Sequence, residues 1–536
     1  MSGRLPEALA VCADALQLNQ DDPAWIFEQA LCHLAGQQVR LAIEGFSHAR
    51  DLAPERAEYW FGLGHAQQTA GTWPDAIRSF RGAIERDPDL AEAHLRLGRL
   101  LLNLGAREEA IESFRRVLQL SPGQLEAEAL TVEALQELGR EAETGQFLMR
   151  VDISEPAHAV DFGYRLQILG RFQEAEQAFR QALQLAPNSG AAYYGLARGR
   201  TMSEPDASLI SQMEASSGDL RLPIFERVFL QYALGKSFED LGEYRRAMQH
   251  YDEANGLEAI SRSLVFDREQ LIQYNDWRIR AYQPDLLGRS RLLGSDSEKP
   301  LFVIGMIRSG TTLIDQMLSA HSAISGAGEL LFWAEKQEEF SRRISKASLS
   351  REFIRETGSE YLGLLDQIWP EASRVIDKMP LNFFLVGAIH MALPNARFIH
   401  VRREPVDNCL SIYTTYFDAS PAFSHRHEDI VAYYREYERL MSHWRSVIPP
   451  ERFIEVEYER VVESPEAEMR RLLEFCGVDW EEACLHPERN RRAVRTPSVW
   501  QVRQPIYQSS KERWKNFAPW LEEFSELLSG DKVPVR

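Results

Sequence analysis

A 34-residue period runs through the first half of the chain and constrains its fold more than any other feature. Ala8, Ala42, Ala76 and Ala110 fall in register. So do Phe46, Phe80 and Phe114, then Pro54, Pro88 and Pro122, then Gly71, Gly105 and Gly139. The clearest copies are AEYWFGLGHAQQTAGTWPDAIRSFRGAIERDPDL (57–90) and AEAHLRLGRLLLNLGAREEAIESFRRVLQLSPGQ (91–124). Each reads as two antiparallel helices: small residues allow close approach, aromatics fill the groove, and the late proline begins the next turn. One such pair cannot bury its apolar face alone, so successive copies must stack into an α-solenoid.

Because several positions recur together, the pattern resembles the tetratricopeptide repeat. It weakens after about residue 125 and changes phase. Pro156 keeps the register, but the next good copy, LGRFQEAEQAFRQALQLAPN (169–188), comes 31 residues on. A less regular stretch from Thr201 to Pro223 follows, and ALGKSFEDLGEYRRAMQHYDEAN (233–255) restores the pattern. Ala8 and Ala15 occupy second-helix positions, so the array opens mid-repeat, either because a first helix lies upstream or because a lone helix caps it. A solenoid offers a concave surface and no chemistry of its own. It is either a rigid spacer or dimerisation arm, or a surface that binds a peptide, a protein partner or an acceptor; the second reading is favoured.

At 536 residues the chain is too long for one core. Its net charge of −19 repels nucleic acid and anionic membranes, so any anionic ligand must be held by a local basic pocket. The five cysteines (Cys12, Cys32, Cys409, Cys476, Cys484) are scattered without metal-ligand spacing and read as reduced core thiols. The first residues, MSGRLPEALAV, lack the pattern of a signal peptide, and no stretch approaches the length of a membrane span. The expectation is a cytoplasmic protein with a solenoid over 1–258, a helical linker over 259–298 and an α/β domain over 299–536.

From about Lys299 short apolar runs alternate with helical patterns. Candidate strands are LFVIG (301–305), RVIDK (374–378), RFIHV (397–401) and FIEVEY (453–458). Intervening helices include TTLIDQMLSAH, NFFLVGAIHMAL and PEAEMRRLLEFCG. This alternation predicts a parallel sheet with its ligand at the strands' C-terminal ends. After the first strand come Gly305, four residues, Gly310, Thr311 and Thr312, nearly the spacing of a nucleotide-binding P-loop. The P-loop lysine is missing, since Thr311 stands in its place and Arg308 lies within the loop. Such a loop cradles an anion on backbone N–H groups and a helix N-terminus, but points away from ordinary ATP chemistry.

A second signal is VRREPVDNCLSIY (401–413), where Arg403, Asp407 and Ser411 follow one another at helical intervals of four. Arg403 and Ser411 are placed to reach one phosphate; the alternative is an Arg–Asp surface pair beside a buried serine. In order, IRSGTT, Arg403-x-x-x-Asp407-x-x-x-Ser411 and VEYERVVESPE (456–466) resemble the sulfotransferases. The resemblance covers roughly residues 299–520 and is strongest to tyrosylprotein sulfotransferases and to bacterial sulfotransferases with tetratricopeptide repeats.

That resemblance implies a P-loop-like α/β domain using 3′-phosphoadenosine-5′-phosphosulfate without a metal, which explains the missing lysine. It implies that Arg308, Ser309, Gly310, Thr311 and Thr312 hold the 5′-phosphosulfate, Arg403 and Ser411 the 3′-phosphate, and Tyr458 the adenosine. Glu329, in SGAGELLFW (325–333), matches the proposed base of the tyrosylprotein enzymes, one residue further from the loop than in that family. Its alternative is a carboxylate placed at a helix start by the dipole. His321 is the rival base, more in keeping with a structural role, and Asp377 is expected to orient its loop. Lys378 and Ser498 match the groups that stabilise the transition state. The segment TPSVWQVRQPIYQSSKERWKNF (496–517) resembles the C-terminal donor loop, with Arg503, Lys511 and Arg513 adding positive charge. From Arg489 to Lys515 there are eight basic residues; a nucleic-acid patch is the generic reading, and the overall charge opposes it. The acceptor is open between polypeptide, glycan and small phenol. The competing classes are an ATP-dependent P-loop kinase and a catalytically inactive scaffold.

Overall fold

The computed structural model describes residues 5–528 except 37, 104, 105, 139, 149, 291, 292, 491, 493 and 495. Gly105 and Gly139 of the repeat register, and Arg491 and Arg495 of the basic stretch, lie outside the described residues. The chain forms two compact units, Met1–Asp152 and Ile153–Arg536.

In the first unit the helix Leu5–Leu18 is followed by the pairs Pro23–Ala35 with Val39–Leu52, Ala57–Thr69 with Trp73–Arg86, Ala91–Asn103 with Arg107–Leu120, and Leu125–Glu137 with Glu141–Leu148. The alanines 42, 76 and 110 and the phenylalanines 46, 80 and 114 are all fully buried. Small and aromatic positions recur together because they are two sides of one contact. A Cβ on Gly64 would stand 2.8 Å from the Phe80 ring, and one on Gly98 2.5 Å from Phe114. Gly71 closes the turn inside its pair with φ +75°, a conformation that disfavours side chains.

The second unit opens with more repeats: Pro156–Ile168 pairs with Phe172–Leu185, Gly190–Arg198 packs on Ile224–Asp240 with Ala207–Ser217 inserted between them in the chain, and Ile224–Asp240 pairs with Tyr244–Ser261. The same interlock returns, since a Cβ on Gly235 would stand 2.7 Å from the Tyr251 ring. Next, the helix Arg268–Ala281 packs along His427–Val447. Asn275 Nδ2 donates to Glu436 Oε2 at 3.0 Å, and Arg439 pairs with Asp276 at 2.7 Å.

The sheet comprises β1 (Pro300–Gly305), β2 (Ile324–Gly328), β3 (Arg374–Asp377), β4 (Arg397–Arg402) and β5 (Phe453–Glu457). All strands are parallel, in the order β2-β3-β1-β4-β5. β1 is central and buried along its whole length, as its unbroken apolar run predicts. The edge strand β2, ISGAG, escapes the sequence pattern because it carries glycines in place of an apolar run. At Gly326 the reason is visible: an added Cβ would lie 1.2 Å from Arg492 Nη1. From β1 the chain runs to the edge strand β2, returns to β3 beside β1, then crosses to β4 and β5 on the other side. This leaves a crevice at the C-terminal ends of β1 and β4, where open parallel sheets hold their ligands. Among the described residues no helix is long and apolar enough to cross a membrane.

Candidate functional site

Each parallel strand ends beside one residue singled out from the sequence. Arg308 follows β1, Glu329 follows β2, Lys378 follows β3, Arg403 follows β4 and Tyr458 follows β5. The loop after β1 turns sharply: Arg308 sits at φ 65° and Gly310 at φ 103°, and the helix Thr311–Leu318 starts directly after. The amides of Thr311 and Thr312, at its start, have no intrahelical partners, whereas that of Leu313 donates to Gly310 O. Ser309 is buried with no hydrogen-bond partner for its hydroxyl, while Thr312 Oγ1 lies 3.3 Å from Thr496 Oγ1.

The helix Pro405–Tyr413 braces this loop. Asn408 Nδ2 donates to Ile307 O at 2.9 Å, and Arg308 Nε donates to Ser411 Oγ at 3.2 Å. Arg403 Nη1 reaches Arg308 O at 3.4 Å, and Nη2 donates to Ser510 O at 2.7 Å. Its guanidinium lies 5.1 Å from the centre of the Tyr458 ring, whose hydroxyl meets Ser510 Oγ at 2.6 Å. Asp407 is no surface partner of Arg403: it is buried, and its Oδ1 accepts the Trp514 N–H at 2.8 Å, tying down the C-terminal segment. From that segment Ser498 Oγ accepts a hydrogen bond from Arg308 Nη1.

Arg308, Arg403, Ser411, Tyr458, Ser498 and Arg513 line one cleft of about 640 Å³. Burial, reinforced by neighbouring Arg403, pushes the Arg308 guanidinium down to about 10. Two partly desolvated cations in one cleft repel each other, and an anion between them relieves both the burial cost and the repulsion. Arg513 differs, because Glu239 already pairs with it.

Glu329 and Lys378 come together on the β2–β3 side, with Lys378 Nζ donating to Glu329 Oε1. Lys378 is 3% exposed at its side chain and Glu329 41%, so a buried cation holds a carboxylate that solvent can reach. Ser498 pairs with Arg308 rather than with this lysine. Asp377 ends β3 beside β1, where a P-loop NTPase would place a metal-holding carboxylate. Burial pushes its carboxyl up to about 7, and its Oδ2 accepts the Tyr361 hydroxyl at 3.0 Å. His321 is occupied structurally: Nδ1 accepts the Ala323 N–H at 3.0 Å and Nε2 donates to Asp479 O at 2.8 Å.

Arg503 is not brought to the cleft. Its fork donates to the carbonyls of Asn490 and Arg492, the latter at 2.6 Å, and so shapes the loop around Ser498. Lys511 pairs with Glu463. Conversely, the cleft contains groups that the sequence does not announce: Lys236, Glu239 and Tyr251 from the repeats, and Tyr507 from the C-terminal segment. Glu239 and Arg513 are 274 residues apart in the chain, and no local pattern links them.

Residues 300–482 match the model of the sulfotransferase family, and residues 61–124 and 160–198 match a tetratricopeptide-repeat model. The chain thus carries a sulfotransferase-family domain behind tetratricopeptide repeats. A protein of Aquifex aeolicus (strain VF5) is 29% identical over 387 residues, covering 68% of this chain and 49% of that protein. The protein-tyrosine sulfotransferase of Drosophila melanogaster is 27% identical over 238 residues, 39% of this chain and 44% of its own. The omega-hydroxy-beta-dihydromenaquinone-9 sulfotransferase of Mycobacterium tuberculosis (strain CDC 1551 / Oshkosh) is 28% identical over 111 residues, 19% of this chain and 29% of its own. The chain spans about half the length of the first two of these relatives.

Proposed function

We propose that this protein transfers a sulfonate group from 3′-phosphoadenosine-5′-phosphosulfate to an acceptor hydroxyl, with residues 1–258 acting as repeat array, 259–298 as helical connection and 299–536 as transferase. The observation that carries this reading is the convergence of Arg308, Arg403 and the first helical turn after β1 on one cleft. It suits a ligand with negative charge at two ends. Ser309, buried and without a partner, fits the same ligand as an unused donor.

The bound donor supplies an activated sulfonate and a bisphosphate leaving group. Arg308, Ser309 and the amides of Gly310, Thr311 and Thr312 hold the 5′ end, Arg403 and Ser411 the 3′-phosphate, and Tyr458 flanks the adenosine. Arg513 adds positive charge to the cleft wall, and Arg503 acts through the loop it braces. Glu329 takes the acceptor's proton. Lys378 keeps that carboxylate aimed and, with Ser498, offsets the charge that builds on the leaving oxygen. Likeness to a protein-tyrosine sulfotransferase favours a polypeptide acceptor, with a glycan next.

Calorimetry with adenosine 3′,5′-bisphosphate tests the assignment. Arg403→Ala should weaken binding by about tenfold or more, the value of one charge-assisted contact. Glu329→Gln should leave binding intact and lower turnover by about 10²–10⁴, read as label passed from radioactive donor to acceptors in a host lysate. Unchanged affinity in Arg403→Ala would sink the donor assignment.

A further inference from the structure

The last repeat pair, Ile224–Asp240 with Tyr244–Ser261, forms one wall of the cleft that holds Arg308 and Arg403. Its most engaged member is Glu239, half-buried at the end of the first helix. Both of its oxygens grip Arg513: Oε1 accepts from Nε, and Oε2 from Nη2 at 2.7 Å. Tyr251, from the second helix, donates its hydroxyl to the same Oε2 at 2.9 Å. Thr414 Oγ1 takes Arg513 Nη2 from the other side at 3.0 Å, and Asp407 holds the next backbone N–H. A two-point fork of this kind fixes the plane of a guanidinium, which a single contact cannot do. The bonds to Glu239 and Thr414 leave Nη1 uncommitted.

We infer that Glu239 is a positioning residue for donor binding, so that the terminal repeat pair is a working part of the donor site rather than a spacer. The inference rests on the donor assignment above. Its physical content is a choice of sign. A carboxylate in a cleft for a bisphosphate repels the ligand if it acts only through charge, and removing it then tightens binding. If it acts by orienting Arg513, removing it loosens binding. The bidentate geometry and the supporting Tyr251 hydroxyl favour orientation. The cleft's other repeat carboxylate, Asp240, is paired with Lys236 on its own helix at 2.5 Å and leaves Arg513 to Glu239 alone.

The test uses the full-length protein and adenosine 3′,5′-bisphosphate, by calorimetry, on wild type, Glu239→Gln, Arg513→Ala and the double variant, with melting curves alongside. Glu239→Gln should raise Kd by about five- to tenfold, and this loss should vanish in the Arg513→Ala background. Glu239→Asp, which keeps the charge, should recover part of the affinity. Unchanged or tighter binding by Glu239→Gln overturns the inference, as does a loss that persists without Arg513. If Glu239→Gln melts too low to assay, Arg513→Lys takes its place, since an ammonium cannot donate the two-point fork to Glu239; full donor affinity in that variant also overturns it. A wild-type protein that binds no bisphosphate defeats the donor assignment and this inference together. Binding by wild type with no coupling defeats this inference alone.

Discussion

Asp377 ends β3 with its side chain fully buried, and burial lifts its carboxyl from 3.8 to about 7 despite the hydrogen bond from Tyr361. Below about pH 4 the group is protonated whether the chain is folded or not, and stability is undiminished. As pH rises towards 7 the unfolded chain gives up its proton while the folded one resists, so stability falls across that window. Asp377→Asn mimics the protonated form and should escape the loss. Its melting temperature relative to wild type should climb between pH 5 and pH 8, and a flat difference would show that Asp377 is ionised throughout. Individual side chains were legible in the sequence where a motif spacing exposed them. Arg308, Arg403 and Ser411 do meet: the tight loop after β1 places Arg308, the end of β4 places Arg403 ahead of the helix Pro405–Tyr413 rather than on it, and that helix places Ser411. Arg503 does not join them, because a basic residue in an irregular loop carries no geometric information.

The loop between β1 and the helix Thr311–Leu318 depends on backbone conformation as much as on its side chains. Gly310 lies at φ 103°, and a Cβ there would meet Tyr458 Cδ2 at 2.5 Å. Gly310→Ala therefore faces both a left-handed backbone and a clash, at a cost of about 1–3 kcal/mol. Since the same residue caps the helix whose amides face the cleft, affinity for adenosine 3′,5′-bisphosphate should fall with stability. Denaturant midpoint and calorimetry measure the two effects; retention of both would mean that the loop relaxes freely. Four of the five strands were visible from their apolar runs. β2 was hidden because the close approach of Arg492 demands glycine where a strand pattern looks for branched apolar residues. In the repeats, the alanine, aromatic and glycine positions announce the helix pairs because each pair repeats the same interlock.

Within the unit Ile153–Arg536, the repeats and the α/β domain are joined by buried polar contacts. Asn255, from the last repeat helix, donates to Tyr413 O at 2.9 Å, and its Oδ1 faces His425 Nδ1 at 2.9 Å. Asn255→Ala should destabilise the unit by about 1–3 kcal/mol, since it leaves buried partners unsatisfied; a denaturant midpoint equal to wild type would show that the joint contributes nothing. Burial, helped by Arg262, pushes the His425 imidazole down to about 4. Its contribution is present above the ordinary value of 6.5 and is lost as pH falls towards 4, because the unfolded chain takes up the proton first. Wild type should thus lose thermal stability across that range, and His425→Gln should lose less. Equal slopes would mean that His425 does not report on the joint.

The sequence by itself determined the repeats, the parallel sheet and the tight loop after β1, because each follows from short-range periodicity: 34 residues, alternating strand and helix, and a glycine spacing. Only the tertiary structure decided that the repeat helices supply one wall of the cleft. Glu239 and Arg513, like Asn255 and Tyr413, meet across more than 150 residues of chain. Such pairings depend on how packed faces come to rest against each other, and no local period encodes that.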